Sequence, residues 1–111
     1  MKINARITSM LGMSYQARKI IIGEDALRRA IRKNKVKLLI IAEDASDNTK
    51  KRFTNIAKHY GITYHIYFTK YDFSKCLGGK YSSVLGIIDR NFTNILDKLI
   101  CNVLQSKTGG E

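Results

Sequence analysis

Residues 35–46 read Lys35-Val36-Lys37-Leu38-Leu39-Ile40-Ile41-Ala42-Glu43-Asp44-Ala45-Ser46 and decide the fold. The unbroken apolar run from Leu38 to Ala42, entered from lysines and left through acidic residues, is typical of a strand buried on both faces. We therefore expect the central strand of an α/β sheet, covered by helices over 24–33 and 48–60. Sites in open α/β sheets commonly lie where such strands end, which makes Glu43 and Asp44 the first candidates for function.

Upstream of this strand, the pattern predicts two helices and a strand. Apolar residues share one face of a helix over 3–15, and these are Ile3, Ile7, Met10 and Leu11. Residues 19–22 form a short β-branched strand that Gly23 ends. The helix over 24–33 carries an apolar side and a basic outer side, and Asn34 is a suitable left-handed stop.

Downstream, Ser46 or Asp47 can cap a helix that stops at Gly61. A strand over 62–68, a short helix over 71–77, a strand over 83–88 and a closing helix from Phe92 to Leu104 follow. This order predicts an α/β protein, a three-layer α/β/α sandwich around a four-stranded mixed sheet. We expect a single domain over 1–104 and a flexible polar tail over 105–111.

The composition favours nucleic acid as the partner. Twenty Lys and Arg residues against nine Asp and Glu residues give a net charge of +11 in only 111 residues, a strong electrostatic footprint. A generally basic surface or attraction to anionic lipid is the alternative. Because no apolar run approaches membrane-spanning length and the start lacks the apolar segment of a secretory signal, we expect a cytoplasmic protein with no membrane partner.

Little in the sequence points to an enzyme or a cofactor. His59 and His65 stand at no recognisable spacing from a nucleophile or carboxylate, and no phosphate-binding glycine loop or metal-ligand cluster is visible. We expect Cys76 and Cys101 to be small buried hydrophobic residues in a reducing compartment, not a disulfide or a metal site. The sequence therefore predicts a protein without catalytic residues, metal ligands or cofactors.

One enzymatic alternative rests on acidic residues that could gather at the carboxyl edge of the sheet. Glu43, Asp44 and Asp72 would there hold Mg²⁺, as in phosphoryl-transfer receivers. Such a site would make Asp44 a metal ligand.

Several short motifs resemble a known superfamily in their order and spacing. They are Leu11-Gly12-Met13, Lys19 to Gly23, Arg29-Ala30-Ile31, Lys37 to Ala45 and Val84 to Asp89. The chain resembles the ribosomal protein L7Ae/L30e superfamily, most closely its small bacterial members, over residues 11–99. The resemblance implies an α/β/α sandwich that binds kink-turn RNA, whose sharp bend, flanked by tandem G·A pairs, is gripped at one edge of the protein.

In that superfamily the glycine after the first strand opens the RNA-reading helix, and Asn, Glu and Lys positions follow it. The resemblance places Gly23 at the glycine position, Asp25 at the Asn position, Ala26 at the Glu position and Arg29 at the Lys position. Asp25 keeps hydrogen-bond acceptors but lacks the amide donor, whereas Arg29 keeps the charge and adds a bidentate fork. The signature Arg-Ala-Gly-Lys before the strand here reads Gln16-Ala17-Arg18-Lys19.

The resemblance implies two further contact regions, the loop after the central strand at Glu43-Asp44 and the loop Gly79-Lys80-Tyr81-Ser82 before the last strand. A bent RNA presents crowded phosphates and guanine edges, so its binder needs cations and acceptors. The cations offered are Lys19, Arg28, Arg29, Arg32, Lys33, Lys37 and Lys80, and the acceptors are Glu24, Asp25 and Glu43.

Within this set, each residue has an expected role. Gly23, Asp25 and Arg29 would read the RNA, and Glu43 would make a loop contact. Phosphates would be gripped by Lys19, Arg32 and Lys37. The loop from Gly79 to Ser82 would form the opposing wall, where Tyr81 can stack on an unpaired base.

The same features also have structural interpretations. Gly23 can serve only a tight strand-to-helix turn, Glu24 and Asp25 can be first-turn acids that suit the helix dipole, and Asp44 can shape its loop by accepting backbone N–H bonds. Our hypothesis is a monomeric, non-enzymatic protein that binds ribosomal or other structured RNA and is associated with the ribosome. A protein-interaction regulator on the same fold is the alternative.

Overall fold

The computed structural model describes residues 5–109, and side-chain surroundings for residues 5–104. Five helices alternate with four strands, as the sequence predicts. The elements are α1 (Ala5–Gln16), β1 (Ile20–Ile22), α2 (Glu24–Arg32), β2 (Leu38–Ile41), α3 (Asp47–Tyr60), β3 (Thr63–Ile66), α4 (Lys70–Cys76), β4 (Val84–Ile87) and α5 (Arg90–Gly109). Each strand is shorter than predicted, and Ile3, expected on the face of the first helix, lies outside the described residues.

The four strands form one mixed sheet in the order β1-β4-β2-β3. Strands β2 and β3 are parallel, whereas β4 is antiparallel both to β1 and to β2. Strand β2 therefore lies in the interior of the sheet, and all four of its residues are fully buried. The prediction of a central strand buried on both faces is confirmed.

Side chains on the two faces of the sheet meet different helices. Leu39, Tyr64 and Gly86 lie opposite one another across the strands, on the face that α2 and α3 cover. Ile40 and His65 are paired on the other face, where α5 packs together with α1. The predicted three-layer α/β/α sandwich is confirmed.

The helix ends follow the local signals in the sequence. The Ser46 hydroxyl accepts a hydrogen bond from the Thr49 N–H at 3.1 Å and so caps α3, which ends at Gly61 in the left-handed conformation. Asn34, the predicted stop of α2, has φ of 59°. Short polar side chains and glycine tolerate these positions because they satisfy free backbone groups or lack a Cβ clash.

The closing helix is longer than predicted. Helix α5 runs to Gly109, beyond the end expected at Leu104, so residues 105–109 continue the helix. No proline or glycine occurs from Arg90 to Thr108, and a helix that meets no stop signal continues. Residues 110–111 of the expected tail lie outside the described residues.

Gly86 in β4 allows α2 to pack directly on the sheet. A Cβ atom at this position would lie 2.5 Å from Cδ1 of Leu27 and 3.1 Å from Cγ1 of Val36. Both side chains are buried, Leu27 completely. In a close-packed core such an overlap forces shifts of the neighbouring atoms, so the glycine sets the distance between α2 and the sheet.

We expect Gly86→Ala to lower the free energy of unfolding by about 1–3 kcal/mol, because it overpacks a filled core. Urea unfolding followed by circular dichroism measures this. Gly12→Ala is the matched control, since the nearest atom to its added Cβ lies 3.9 Å away and alanine favours a helix interior by about 0.5–1 kcal/mol. An unchanged urea midpoint for Gly86→Ala would contradict this account of the packing.

Candidate nucleic-acid interface

The carboxyl ends of β1, β2 and β3 and the start of β4 meet at one edge of the sheet, here called the carboxyl edge. The Gly23 N–H donates to Oγ of Ser82 at 3.4 Å, which joins the β1–α2 turn to the loop before β4. This contact arises because β4 runs antiparallel to β1, which brings the beginning of β4 beside the end of β1.

Backbone hydrogen bonds join the other loops that lie along the carboxyl edge. The Ala42 N–H donates to the Ser83 carbonyl at 2.9 Å, and the Glu43 N–H donates to the Phe68 carbonyl at 2.8 Å. The loop after β2 therefore lies next to the loop before β4. The structure thus brings together the three segments that the sequence singles out, around Gly23, around Glu43 and from Gly79 to Ser82.

Helix α2 begins without a side-chain cap. Its N-cap residue is Gly23, with φ of 88° and ψ of 133° and no side-chain hydrogen bond to the first turn. The first N–H to bond back is that of Leu27, which donates to the Gly23 carbonyl at 3.0 Å. Helices α3 and α4 are capped by Ser46 and Thr69. The free N–H groups of α2 form a positive end suited to an acceptor or an anion.

The loop before β4 presents an exposed aromatic ring beside this helix start. Tyr81 is 77% exposed. Gly79 has φ of 90°, a conformation that favours glycine. Lys80 is exposed, and its Nζ lies 5.9 Å from the centroid of the Tyr15 ring, which directs this charge toward α1. Ser82 turns inward, where its hydroxyl donates to the Val84 carbonyl.

One flank of α2 carries exposed charges that descend from the carboxyl edge. Asp25 lies at the top and Arg29 about one turn below it, and both side chains are exposed. A shallow groove runs along this flank beside β1. Its lining residues are Ile21, Ala26, Arg29, Ala30, Lys33 and Lys35. The groove therefore combines an apolar floor with cationic walls.

The other flank of α2 faces α3. The Glu24 carboxylate contacts Arg52 of α3 at 2.6 Å and Arg28 at 3.6 Å, so this predicted acceptor already holds two guanidinium groups. Arg28 and Arg32 line a cleft against α3 together with Tyr60. The predicted cations of α2 are thus divided between two flanks.

Lys19 and Lys37 lie at the opposite, amino end of the strands. The Lys19 carbonyl accepts from the Ile88 N–H at 2.9 Å, and the Lys37 N–H donates to the Ile87 carbonyl at 2.8 Å. A strand rises roughly 3.3 Å per residue, so β2 and its flanking residues separate Lys37 from Glu43 by roughly 20 Å. The structure does not bring these two lysines to the carboxyl edge.

Arg18 precedes Lys19 at the position where the superfamily signature has glycine. Its φ is 61°, so a non-glycine residue here adopts the left-handed conformation. A side chain in this conformation costs roughly 1–2 kcal/mol.

The acidic residues of the carboxyl edge have different surroundings. Glu43 is exposed. Oδ1 of Asp44 accepts the Lys70 N–H at 2.8 Å, which confirms the structural role predicted for Asp44. Oδ2 of Asp72 accepts the Thr69 N–H at 2.9 Å in the capping box of α4. Because two of the three carboxylates serve backbone donors, this geometry gives no support to the Mg²⁺ alternative.

A different group of potential metal ligands, which sequence analysis missed, lies between β3 and α5. Nε2 of His65 is 2.6 Å from Oδ1 of Asp97, and Sγ of Cys101 is 3.8 Å from that nitrogen and 3.7 Å from that oxygen. Among the described side chains it is the one such group of three. The sequence does show Asp97 and Cys101 four residues apart on one predicted helix. It does not show that His65 lies beside them, because that contact depends on the fold.

Both cysteines are free and half-buried, so the expectation that they are buried is wrong. Cys76 is the last residue of α4, and Cys101 of α5 lies beside His65. Burial and the nearby Asp97 carboxylate raise the pKa of the Cys101 thiol. Burial and Asp72 likewise raise the pKa of Cys76, against a lowering effect of Lys75. Neither thiol has the depressed pKa of a catalytic nucleophile.

Comparison with known proteins identifies relatives for most of the chain. A sequence model of the ribosomal protein L7Ae/L30e/S12e/Gadd45 family matches residues 5–97. RNA-binding protein YlxQ of Bacillus subtilis is 32% identical over 91 residues, covering 82% of this chain and 91% of that protein. RNA-binding protein YlxQ of Enterococcus faecium is 32% identical over 92 residues, covering 83% and 88%.

A solved structure shares the fold. A protein of unknown function from Bacillus halodurans superposes with a TM-score of 0.83 at 28% sequence identity, covering 87% of this chain and 98% of that one. Within the described part of this chain, no helix has the length and apolar character needed to cross a membrane.

We expect Gly23→Ala to lower the free energy of unfolding by about 1–3 kcal/mol, the usual cost of a strained backbone. Space is not the reason, because no atom lies within 4 Å of the added Cβ, whereas φ of 88° is unfavourable for alanine. Gly61→Asn is the control, since asparagine tolerates the left-handed helix stop. The urea midpoints of both variants measure the effect. A smaller loss of unfolding free energy for Gly23→Ala than for Gly61→Asn would contradict the expected backbone strain at Gly23.

Proposed function

We propose, from the premise that this chain belongs to the ribosomal protein L7Ae/L30e/S12e/Gadd45 family, that it binds structured RNA and recognises the kink-turn. The observation that carries the proposal is the carboxyl edge, where the uncapped start of α2 lies within hydrogen-bonding distance of the loop before β4. RNA would lie across these two joined loops and meet Gly23, Asp25 and Arg29 on one side and Tyr81 on the other.

The helix start supports this proposal through its free donors. Gly23 has no side chain, so an RNA backbone or base edge can approach the first-turn N–H groups of α2 closely. Apart from Gly23 and its two chain neighbours, no protein atom lies within 4 Å of the position that a Cβ would take. A capping residue such as Ser46 at the start of α3 would occupy this space with its side chain and would accept a hydrogen bond from one of the free N–H groups.

Asp25 and Arg29 supply the polar groups for reading the bend. The carboxylate of Asp25 accepts from guanine N–H groups, which is the chemistry that a sheared G·A pair exposes. Arg29 donates two parallel hydrogen bonds to a guanine edge or a phosphate. Both side chains are exposed on the same flank of α2, about one turn apart, and Glu43 adds a further acceptor from the neighbouring loop.

The remaining cations act at a distance from the bend. Lys33 and Lys35 continue the groove below Arg29, and Lys19 and Lys37 lie at the amino end of the strands. These residues meet the phosphates of a helical stem next to the bend. Arg32 lines the cleft against α3 and contributes through the field of the whole basic surface.

The cellular setting follows from this activity. Kink-turns are elements of folded RNA, so ribosomal RNA is the expected target and the cytoplasm the expected place of action. We propose that the protein binds as a monomer, because the carboxyl edge of one chain already offers two walls. It needs no cofactor for this binding.

A titration against a kink-turn RNA is the test. The same RNA with its tandem G·A pairs replaced by Watson–Crick pairs serves as the comparison, with both measured by fluorescence anisotropy at about 50 and 200 mM salt. We expect a preference for the kink-turn that persists at the higher salt, because base-edge contacts resist screening. Equal affinities that fall together with salt would overturn kink-turn recognition and leave only charge-driven binding.

Charge-matched variants locate the contact within the same assay. Arg29→Ala is expected to cost about 1–3 kcal/mol of binding free energy, the usual value of a bidentate contact. Lys58→Ala removes an equal charge from the exposed end of α3 and is expected to have a smaller effect. Absence of RNA binding in the wild-type protein would instead favour the protein-interaction alternative.

We expect Tyr81→Ala to weaken binding of the kink-turn RNA by about 5- to 150-fold, since stacking of one base is worth about 1–3 kcal/mol. Tyr71→Ala is the matched control, because Tyr71 is 65% exposed and Tyr81 77% exposed but Tyr71 stands on α4. Thermal unfolding of both variants should remain unchanged. Equal affinities for the two variants would remove Tyr81 from the RNA contact.

A further inference from the structure

We propose that His65, Asp97 and Cys101 form a binding site for a zinc-type transition metal ion. The site is separate from the proposed RNA contact, because it contains none of the RNA-contact residues and lies on the sheet face that α5 covers, opposite α2. It contributes a nitrogen, an oxygen and a sulfur donor, and these atoms all lie within 4.8 Å of one another. This inference does not depend on RNA binding.

The distances in the cluster already approach those of a tetrahedral zinc site. Bonds of about 2.0–2.3 Å to nitrogen, oxygen and sulfur place the sulfur about 3.6 Å from each of the other donors. The Cys101 sulfur lies 3.8 Å from Nε2 of His65 and 3.7 Å from Oδ1 of Asp97. Two of the three separations therefore need little change.

The third separation needs a small opening. Nε2 of His65 and Oδ1 of Asp97 are 2.6 Å apart, whereas about 3.3 Å is required when both bind one ion. The ion replaces their hydrogen bond by two coordination bonds, the proton shared between Nε2 and Oδ1 leaves, and the neutral imidazole carries its proton on Nδ1. Asp97 is 39% exposed and His65 12% exposed, so the carboxylate has room to move by less than 1 Å from a more fixed imidazole.

Secondary structure holds the three donors in position. Asp97 and Cys101 are four residues apart and so lie on one face of α5. His65 is paired with Ile40 in the sheet, which fixes its backbone against the central strand. Donors carried by a helix and a strand are positioned more precisely than donors on loops.

The donor set selects the class of metal. Thiolate and imidazole ligands suit zinc and related transition metals, whereas Mg²⁺ and Ca²⁺ prefer oxygen ligands. Binding requires the thiolate, so the Cys101 proton is released to solvent when the ion enters. Three protein ligands leave a fourth position for water.

The hydrogen-bonded pair of His65 and Asp97 also has a purely structural interpretation as a latch between β3 and α5. A latch alone needs no sulfur, and it gives no role to Cys101. The proposal is therefore tested through the cysteine.

Titration of the full-length chain with Co²⁺ and Zn²⁺ is the experiment. Co²⁺ should produce a thiolate-to-metal absorption band in the near ultraviolet with one equivalent per chain, and Zn²⁺ should displace it, whereas Mg²⁺ should not. Removal of a residue that only hydrogen-bonds a metal ligand lowers metal affinity by about 10- to 100-fold. Because Cys101→Ser removes a ligand itself, we expect it to lower the affinity for Co²⁺ and Zn²⁺ at least as much. Cys76→Ser, which alters the other free cysteine, should leave the band intact.

Alkylation provides a second readout that does not depend on a variant that folds. Iodoacetamide with peptide mass spectrometry should show Cys101 protected by Zn²⁺ and exposed again by chelator, with Cys76 in the same tube as internal control. Equal protection of the two cysteines, a band unchanged in Cys101→Ser, or no saturable one-to-one binding would each overturn the proposal. RNA binding should be unaffected by Cys101→Ser, so the two proposals fail separately.

Discussion

Strand β4 makes hydrogen bonds to β1 on one side and to β2 on the other, and it runs against both. Without it the sheet would be a β2–β3 pair and an isolated strand. Its antiparallel direction also determines which loops are neighbours, because the beginning of β4 lies beside the ends of β1 and β2. A parallel strand in that place would bring a different loop to the carboxyl edge.

The packing of α2 depends on the same strand. Leu27 lies against the bare backbone of Gly86, so the helix that begins at the carboxyl edge is held close to the sheet. Its free N–H groups are therefore fixed relative to the loop that carries Tyr81. Binding sites in which both walls are fixed before the ligand arrives lose less entropy on binding. The ion pair of Glu24 with Arg52 adds a link between α2 and α3.

Local sequence signals predicted the features that depend on neighbouring residues. The apolar run from Leu38 to Ala42 identified the interior strand, and Ser46, Gly61 and Asn34 identified helix ends, because caps and left-handed stops are set within a few residues. Contacts between distant segments were not visible. The sequence offers Glu24 as a free acceptor, but in the structure it forms an ion pair with Arg52. His65 and Cys101 are 36 residues apart, and only the fold brings them into contact.

The place of β4 in the chain has a consequence for the order of folding. Residues 84–87 follow all three of the other strands, so a growing chain contains β1 and the β2–β3 pair before anything connects them. Contacts of such long sequence separation form late and slow the folding of a domain. The carboxyl edge therefore comes into existence only after most of the chain has been synthesised, and a truncated product lacks the arrangement even though it contains Gly23, Arg29 and Glu43.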